Sequence, residues 1–181
     1  METVETRRAP RAELSLALRG VALAATLEAA LTIGHFSYGA LLYDDPSRNH
    51  VVVPASIALA LSLGLAALCA WRPGAVVRWL VVATAGIPFV GMFGFFHGGF
   101  LHGAKLLAFA AGASTERLLE WFDSNDFAIP NDVAFEASGL MTFVVSLAVA
   151  YFLLRLVRIG RRSEAPVPAP SPDTSVAAPG S

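Results

Sequence analysis

Four histidines and one isolated glutamate are the side chains best placed by type and spacing to do chemistry in this sequence. His35 lies late in the first apolar segment and His50 just before the second, while His97 and His102 close the third. Imidazoles gathered at one end of apolar segments can ligate a metal or haem, carry protons, or line a wet vestibule. A mononuclear metal could take His35, His97 and His102, with Asp44 or Asp45 adding a carboxylate, a donor set that suits zinc, iron or copper. A b-type haem could instead be held axially by His35 and His97, with Gly94 and Gly98 leaving room for the flat ring.

The spacing alone does not choose between these. There is no His-Glu-x-x-His, and His97 and His102 are five apart, which on a continuous α-helix turns them away from each other. A break at Gly98-Gly99 would bring them together. The ordinary reading is that histidine is tolerated where apolar spans meet headgroups and water. A loop histidine such as His50 needs no further account.

Glu28 is the sharpest single residue. It stands in the middle of the otherwise apolar run Gly20 to Tyr43, and a carboxylate at a bilayer centre costs a few kcal/mol. It must face a cavity, pair, or stay protonated. One reading is a proton or cation site. The other is a neutral acid hydrogen-bonded to Thr32, Ser146 or a backbone carbonyl, or paired with another subunit.

The elements that must position these groups follow from composition. Of 181 residues 55% are hydrophobic and only 15% charged, with a mean hydropathy of +0.60. Val51 to Trp71, Trp79 to Phe96 and Ala137 to Leu154 carry no charge, and Gly20 to Tyr43 only Glu28 and His35. Each is about long enough to cross ~30 Å of hydrocarbon at ~1.5 Å per residue. The expected fold is an all-α integral membrane protein: four transmembrane helices in an antiparallel up-down-up-down bundle, spanning about 18–43, 51–71, 77–100 and 136–157. A polar segment 1–13 precedes the transmembrane domain 14–158, and a Pro/Ala/Ser tail, 159–181, is expected to be disordered. Residues 101–133 read as an outer interfacial segment, with an amphipathic helix over Ser114 to Phe122 between spans three and four.

Four faces are expected to turn inward. Glu28, Thr32, His35 and Gly39 recur at i, i+4, i+7 and i+11, and Ser138, Thr142 and Ser146 form a second polar stripe. Ser56, Ala60 and Gly64 make a small face on the second span, and Gly91, Gly94 and Gly98 one on the third. Pro88 frees the Thr84 carbonyl, so a kink is expected there. Phe89, Phe93, Phe96 and Phe100 would crowd the remaining sides, toward lipid or partner helices. Counting ~1.5 Å per residue places His35 ~10 Å beyond Glu28, at about the depth of His97.

Charge orients the chain. With four spans, ten basic residues lie on the side of both termini and three on the other. The positive-inside rule then makes the termini cytoplasmic, in a bacterial cytoplasmic (inner) membrane, and leaves the histidines on the outer, acidic face. The arginine clusters anchor topology near anionic lipid, so no nucleic acid is implied. Cys69, the one cysteine, permits no intrachain disulfide.

Three functions follow. The safest is a non-catalytic accessory or structural subunit, packed against other membrane subunits or a second copy of itself. The alternative that the residues favour is a haem- or metal-binding protein, its cofactor haem b or a divalent transition metal. The third is a small proton- or cation-coupled transporter using Glu28, although a lone four-helix bundle has little room for a substrate path. The topology is directly testable. A cysteine at position 50, in a Cys69→Ala background, should react with an impermeant maleimide in intact cells, and one at position 158 only after permeabilisation. Protection of position 50 overturns the orientation.

Overall fold

The computed structural model describes residues 5–122 and 129–164, and these are helical throughout apart from short connections. The elements are α1 (Glu5–Leu42), a 3₁₀ turn (Pro46–Val51), α2 (Val52–Trp71), α3 (Ala75–Ala85), a π segment (Gly86–Ala104), α4 (Lys105–Ala110), α5 (Thr115–Phe122) and α6 (Val133–Glu164). Four stretches are long and apolar enough to cross a membrane: Arg11–Leu42, Pro46–Trp71, Ala75–Ala110 and Val133–Arg162. The third is α3, the π segment and α4 run together. Residues 101–110 thus continue that long helix instead of opening an interfacial segment.

The ends of α1 and α6 differ from expectation. α1 starts at Glu5, within the polar segment set apart from the transmembrane domain, and α6 runs on to Glu164, into the segment read as disordered tail. The α1 extension is rich in Arg, Ala and Glu, and the α6 extension carries Arg161, Arg162 and Glu164, helix formers that let the register carry past the apolar run. The rest of that tail, 165–181, and part of the loop expected before α6, 123–128, lie outside the described residues.

Local chemistry explains where the helices stop. After α1, Asp44 adopts φ 50°, and Asp45 accepts hydrogen bonds from Ser47 N at 3.1 Å and Ser47 Oγ at 2.6 Å to start the 3₁₀ turn. After α4, Gly112 takes φ +84°, and Ala113 N reaches back to the Ala108 carbonyl at 3.0 Å, a Schellman-type ending. Ser114 then precedes α5, its hydroxyl accepting from Arg117 N at 3.5 Å and its carbonyl from Leu118 N at 3.0 Å. Hydrogen bonds from its own backbone N–H and from Ser114 hold the Glu116 carboxyl below the usual range. α5 buries Leu118 and Phe122 and leaves Trp121 exposed, the amphipathic division expected of it.

The most extensive packing joins α1 to α6 and the π segment to α6, with α2 lying against α1 and α3. Much of the core is small: Ala17, Val21, Ala25 and Ala29 from α1 meet Ala66 and Cys69 from α2, Ala85 and Phe89 from the third long helix, and Val149 and Leu156 from α6. The polar stripe of α1 (Glu28, Thr32, His35) is buried, as are Thr142 and Ser146 of α6.

Two expected faces are corrected. On α2, Ser56, Ala60 and Gly64 are exposed; Ala55, Ser62, Ala66 and Cys69 are buried instead, an equally small set one step around the helix. On the third helix Gly91 is exposed and does not share a face with Gly94 and Gly98. The reason is the change of register. From Gly86 the backbone winds with i→i+5 bonds, far beyond the single-turn π-bulges in which such winding usually occurs. The buried positions then fall at Phe89, Gly94, His97, Gly98 and His102, so that residues five apart, Phe89 with Gly94 and His97 with His102, share the inward side. Phe89 accordingly faces the core and not lipid. The change begins two residues before Pro88, where the bond owed to the Thr84 carbonyl would lapse in any case.

Gly94 and Gly98 lie directly against α6. A Cβ on Gly94 would meet the Ser146 side chain; one on Gly98 would meet Phe143 N at 2.6 Å and the Gly139 carbonyl at 2.7 Å. Backbone cannot step aside as a side chain can. Gly98→Ala should therefore lower stability by about 1–3 kcal/mol, read as an earlier thermal unfolding midpoint in detergent. Gly64→Ala, with nothing within 4 Å of the added carbon, should leave that midpoint in place.

Candidate metal centre

The π register brings together the two histidines whose spacing spoke against it. In an i→i+5 helix a residue lies nearly above its fifth successor, so His97 and His102 turn to the same side without a break at Gly98-Gly99. His35 of α1 completes the group. The three ring centroids form an almost equilateral triangle, with sides of 4.8 Å (His35–His102), 4.9 Å (His97–His102) and 5.0 Å (His35–His97). One potential ligand atom from each ring lies within 4.8 Å of the other two, and all three residues are buried.

Contacts behind the rings orient them. His102 Nδ1 meets Glu136 Oε2 at 2.7 Å, and Lys105 Nζ donates to the other carboxylate oxygen, Oε1, at 2.5 Å. His35 Nδ1 lies 2.9 Å from Ser138 Oγ. The Ser138 hydroxyl has one proton, and Ser138 Oγ donates to the Phe135 carbonyl at 3.0 Å. It must then accept from His35, which puts the imidazole proton on Nδ1 and leaves a lone pair on Nε2. A carboxylate acceptor gives His102 the same tautomer. His35 Nε2 and His97 Nε2 are buried and have no hydrogen-bond partner among the described residues. Phe135 stacks on His35 at 4.3 Å and meets His102 edge-on at 5.2 Å, while Phe36 covers His97 at 4.5 Å.

Three buried imidazoles, two of them held through Nδ1 by an acceptor, are a donor set that could hold a transition-metal ion, with the outer contacts such a site needs. Tetrahedral bonds of ~2.0–2.1 Å require donor atoms roughly 3.3 Å apart, so the three rings would have to move inward by about an ångström to hold an ion. Three protein ligands would leave it a position for a further ligand.

Asp44 and Asp45 are outside this group. Asp44 is exposed; Asp45 caps the 3₁₀ turn and pairs with Arg48 at 3.4 Å. Its bonds from Ser47 hold its carboxyl below the usual range. His50 is exposed and donates from Nδ1 to the Ser47 carbonyl at 2.7 Å, as a loop histidine would. The slot imagined for a haem is filled. Gly94 and Gly98 meet Ser146, Thr142 and the α6 backbone, and the space between His35 and His97 is shared with His102 and walled by Phe135 and Phe36. The residues do not fit a porphyrin.

Glu28 and Thr32 lie one to two turns along α1 from His35, on its buried face. Within this chain the acid has neither of the side-chain partners expected for it, Thr32 and Ser146. Neither Glu28 oxygen nor Thr32 Oγ1 has a hydrogen-bond partner among the described residues, and Ser146 donates to the Phe143 carbonyl at 2.7 Å. Sequence reasoning did not single out Glu136 or Lys105. The available signal was Lys105 itself, three residues after His102 on the same helical face.

No family model, curated protein or solved structure matches this chain. Function therefore rests on the site. Glu136→Ala takes the carboxylate from Lys105 and His102 together and should cost about 3–5 kcal/mol. Replacing both charges, as in Lys105→Met with Glu136→Leu, should cost less. Unfolding midpoints of the three proteins in one detergent decide this, and equal midpoints for the single variant and wild type refute it.

Proposed function

We propose that this chain is a multi-pass membrane protein that binds a divalent transition-metal ion through His35, His97 and His102. The observation that carries the reading is the buried imidazole triangle, with His35 and His102 anchored through Nδ1. Imidazole nitrogens suit zinc, copper, iron and nickel. When bound, the ion would supply Lewis acidity at its open position or would itself be the cargo.

Four apolar helices support the membrane setting. The excess of arginine at the ends of the spans remote from the histidines supports cytoplasmic termini, with the metal centre toward the outer face of a bacterial inner membrane. The long helices would then run alternately up and down. Membership of a larger assembly rests on composition alone and is compatible with a metal centre.

The chain's own residues do three things here. Glu136 and Ser138 fix the tautomers that aim Nε2 lone pairs inward. Phe135 and Phe36 exclude water from the rings. Lys105 lies against Glu136 and offsets its charge, which lowers the cost of burying a carboxylate there.

Protein purified in mild detergent should carry close to one equivalent of metal by elemental analysis, and cobalt substitution should give visible absorption bands. His97→Ala should abolish both. Ser138→Ala, which touches no ion, should weaken binding by about 10–100-fold. Wild-type protein without metal and without a cobalt spectrum would overturn the reading.

A further inference from the structure

The charge balance of the triangle is incomplete for a divalent ion. The imidazoles enter it neutral, with protons held on Nδ1 toward Ser138 and Glu136. The Glu136 carboxylate is offset by Lys105 at 2.5 Å. An ion of charge +2 among side chains 0–8% exposed would thus lack an answering negative charge. Among the described residues only two acids are buried, Glu136 and Glu28.

Glu28 has the right placement to answer it. It is 0% exposed, on the same face of α1 as Thr32 and His35, and roughly 10 Å from His35 along the helix axis. Among the described residues, neither of its oxygens nor Thr32 Oγ1 has a hydrogen-bond partner. An ionised carboxylate there would be unsolvated, so metal-free protein keeps the proton. Across the seam α6 presents Ser146 and Thr142, both buried, and Ser138 against His35.

Few ionisable groups compete. Among the elements packed on α1, α2 contributes Cys69, the 3₁₀ turn Arg48 and His50, and the π segment His97 and His102. α6 carries Glu136 near its start and nothing ionisable from there to Tyr151, beyond which come Arg155, Arg158, Arg161 and Arg162. On α1 itself the nearest charged side chain is Arg19.

From this we infer that Glu28 is the proton-exchange partner of the metal centre: a divalent ion enters the triangle and the carboxyl proton of Glu28 leaves to solvent. The inference rests on the metal centre proposed above. One M²⁺ enters and one H⁺ departs, so the buried region gains one net charge instead of two. Glu28 touches no ion and acts through charge.

The test is the number of protons released when zinc is added to metal-free protein in weakly buffered detergent near pH 7, followed with an indicator dye. Wild type should release about one more proton per ion bound than Glu28→Gln, and Glu28→Asp should restore the difference. Equal release from wild type and Glu28→Gln, with zinc bound to both, overturns the coupling and leaves the metal centre standing. Absence of zinc binding by wild type overturns the centre, and the coupling with it. Should Glu28→Gln fail to fold, infrared difference spectra of wild type decide. Zinc should remove a protonated-carboxyl C=O band, and an unchanged band overturns the inference.

Discussion

The close approach of the π segment to α6 is the constraint on which the rest depends. Gly94 and Gly98 bring one backbone against Ser146, Thr142 and Phe143, and Gly139 on α6 returns the accommodation by leaving room for the His102 ring. Any side chain at these positions would hold the helices apart, and the separation would be felt first at the histidines. With the contact made, His102 reaches Glu136, Lys105 reaches the same carboxylate, and His97 comes level with His35. The widened winding matters as much as the glycines. Under α-helical winding His97 and His102 would diverge by about 140°, and the triangle would lose a corner.

A second constraint is electrical. Lys105 and Glu136 are both buried, and an isolated charge of either sign would be costly there. Their pairing makes a carboxylate available beside an imidazole in a place otherwise lined by phenylalanine and small residues. Glu28 is the contrasting case: a buried acid with no hydrogen-bond partner among the described residues. The two acids, both on buried helix faces, are thus held in different electrostatic surroundings, only Glu136 meeting an ammonium group among the described residues.

Much of this was legible in the sequence. The long apolar runs announce the helices, and the stripe Glu28, Thr32, His35 is inward because an α-helix repeats near 3.6 residues. That His35 and His97 reach one depth could be read from segment lengths alone. Other features were hidden for identifiable reasons. An extended π register has no sequence signal comparable to the α period, so Gly91 was placed on the wrong face and the five-residue histidine spacing counted against a shared site. On α2 nearly every residue is small or apolar, so Ser56, Ala60 and Gly64 could not be told from Ala55, Ser62 and Ala66 as the inward set. The Lys105–Glu136 pair joins residues 31 apart, and nothing local in either stretch points to the other.

The first turns of α6 hold a concentration of roles that the helix as a whole does not share. Phe135, Glu136, Ser138 and Gly139 all touch the imidazoles or make space for them, while Asp132, just before them, is tied to α1 through Tyr38 at 3.2 Å. Unwinding a helix terminus costs far less than melting a bundle. Loosening of this one stretch would strip the histidines of cover, anchor and counter-charge in a single event, while the apolar core around Phe89, Val149 and Leu156 stayed intact. Access to the triangle and its construction are therefore governed by the same few residues.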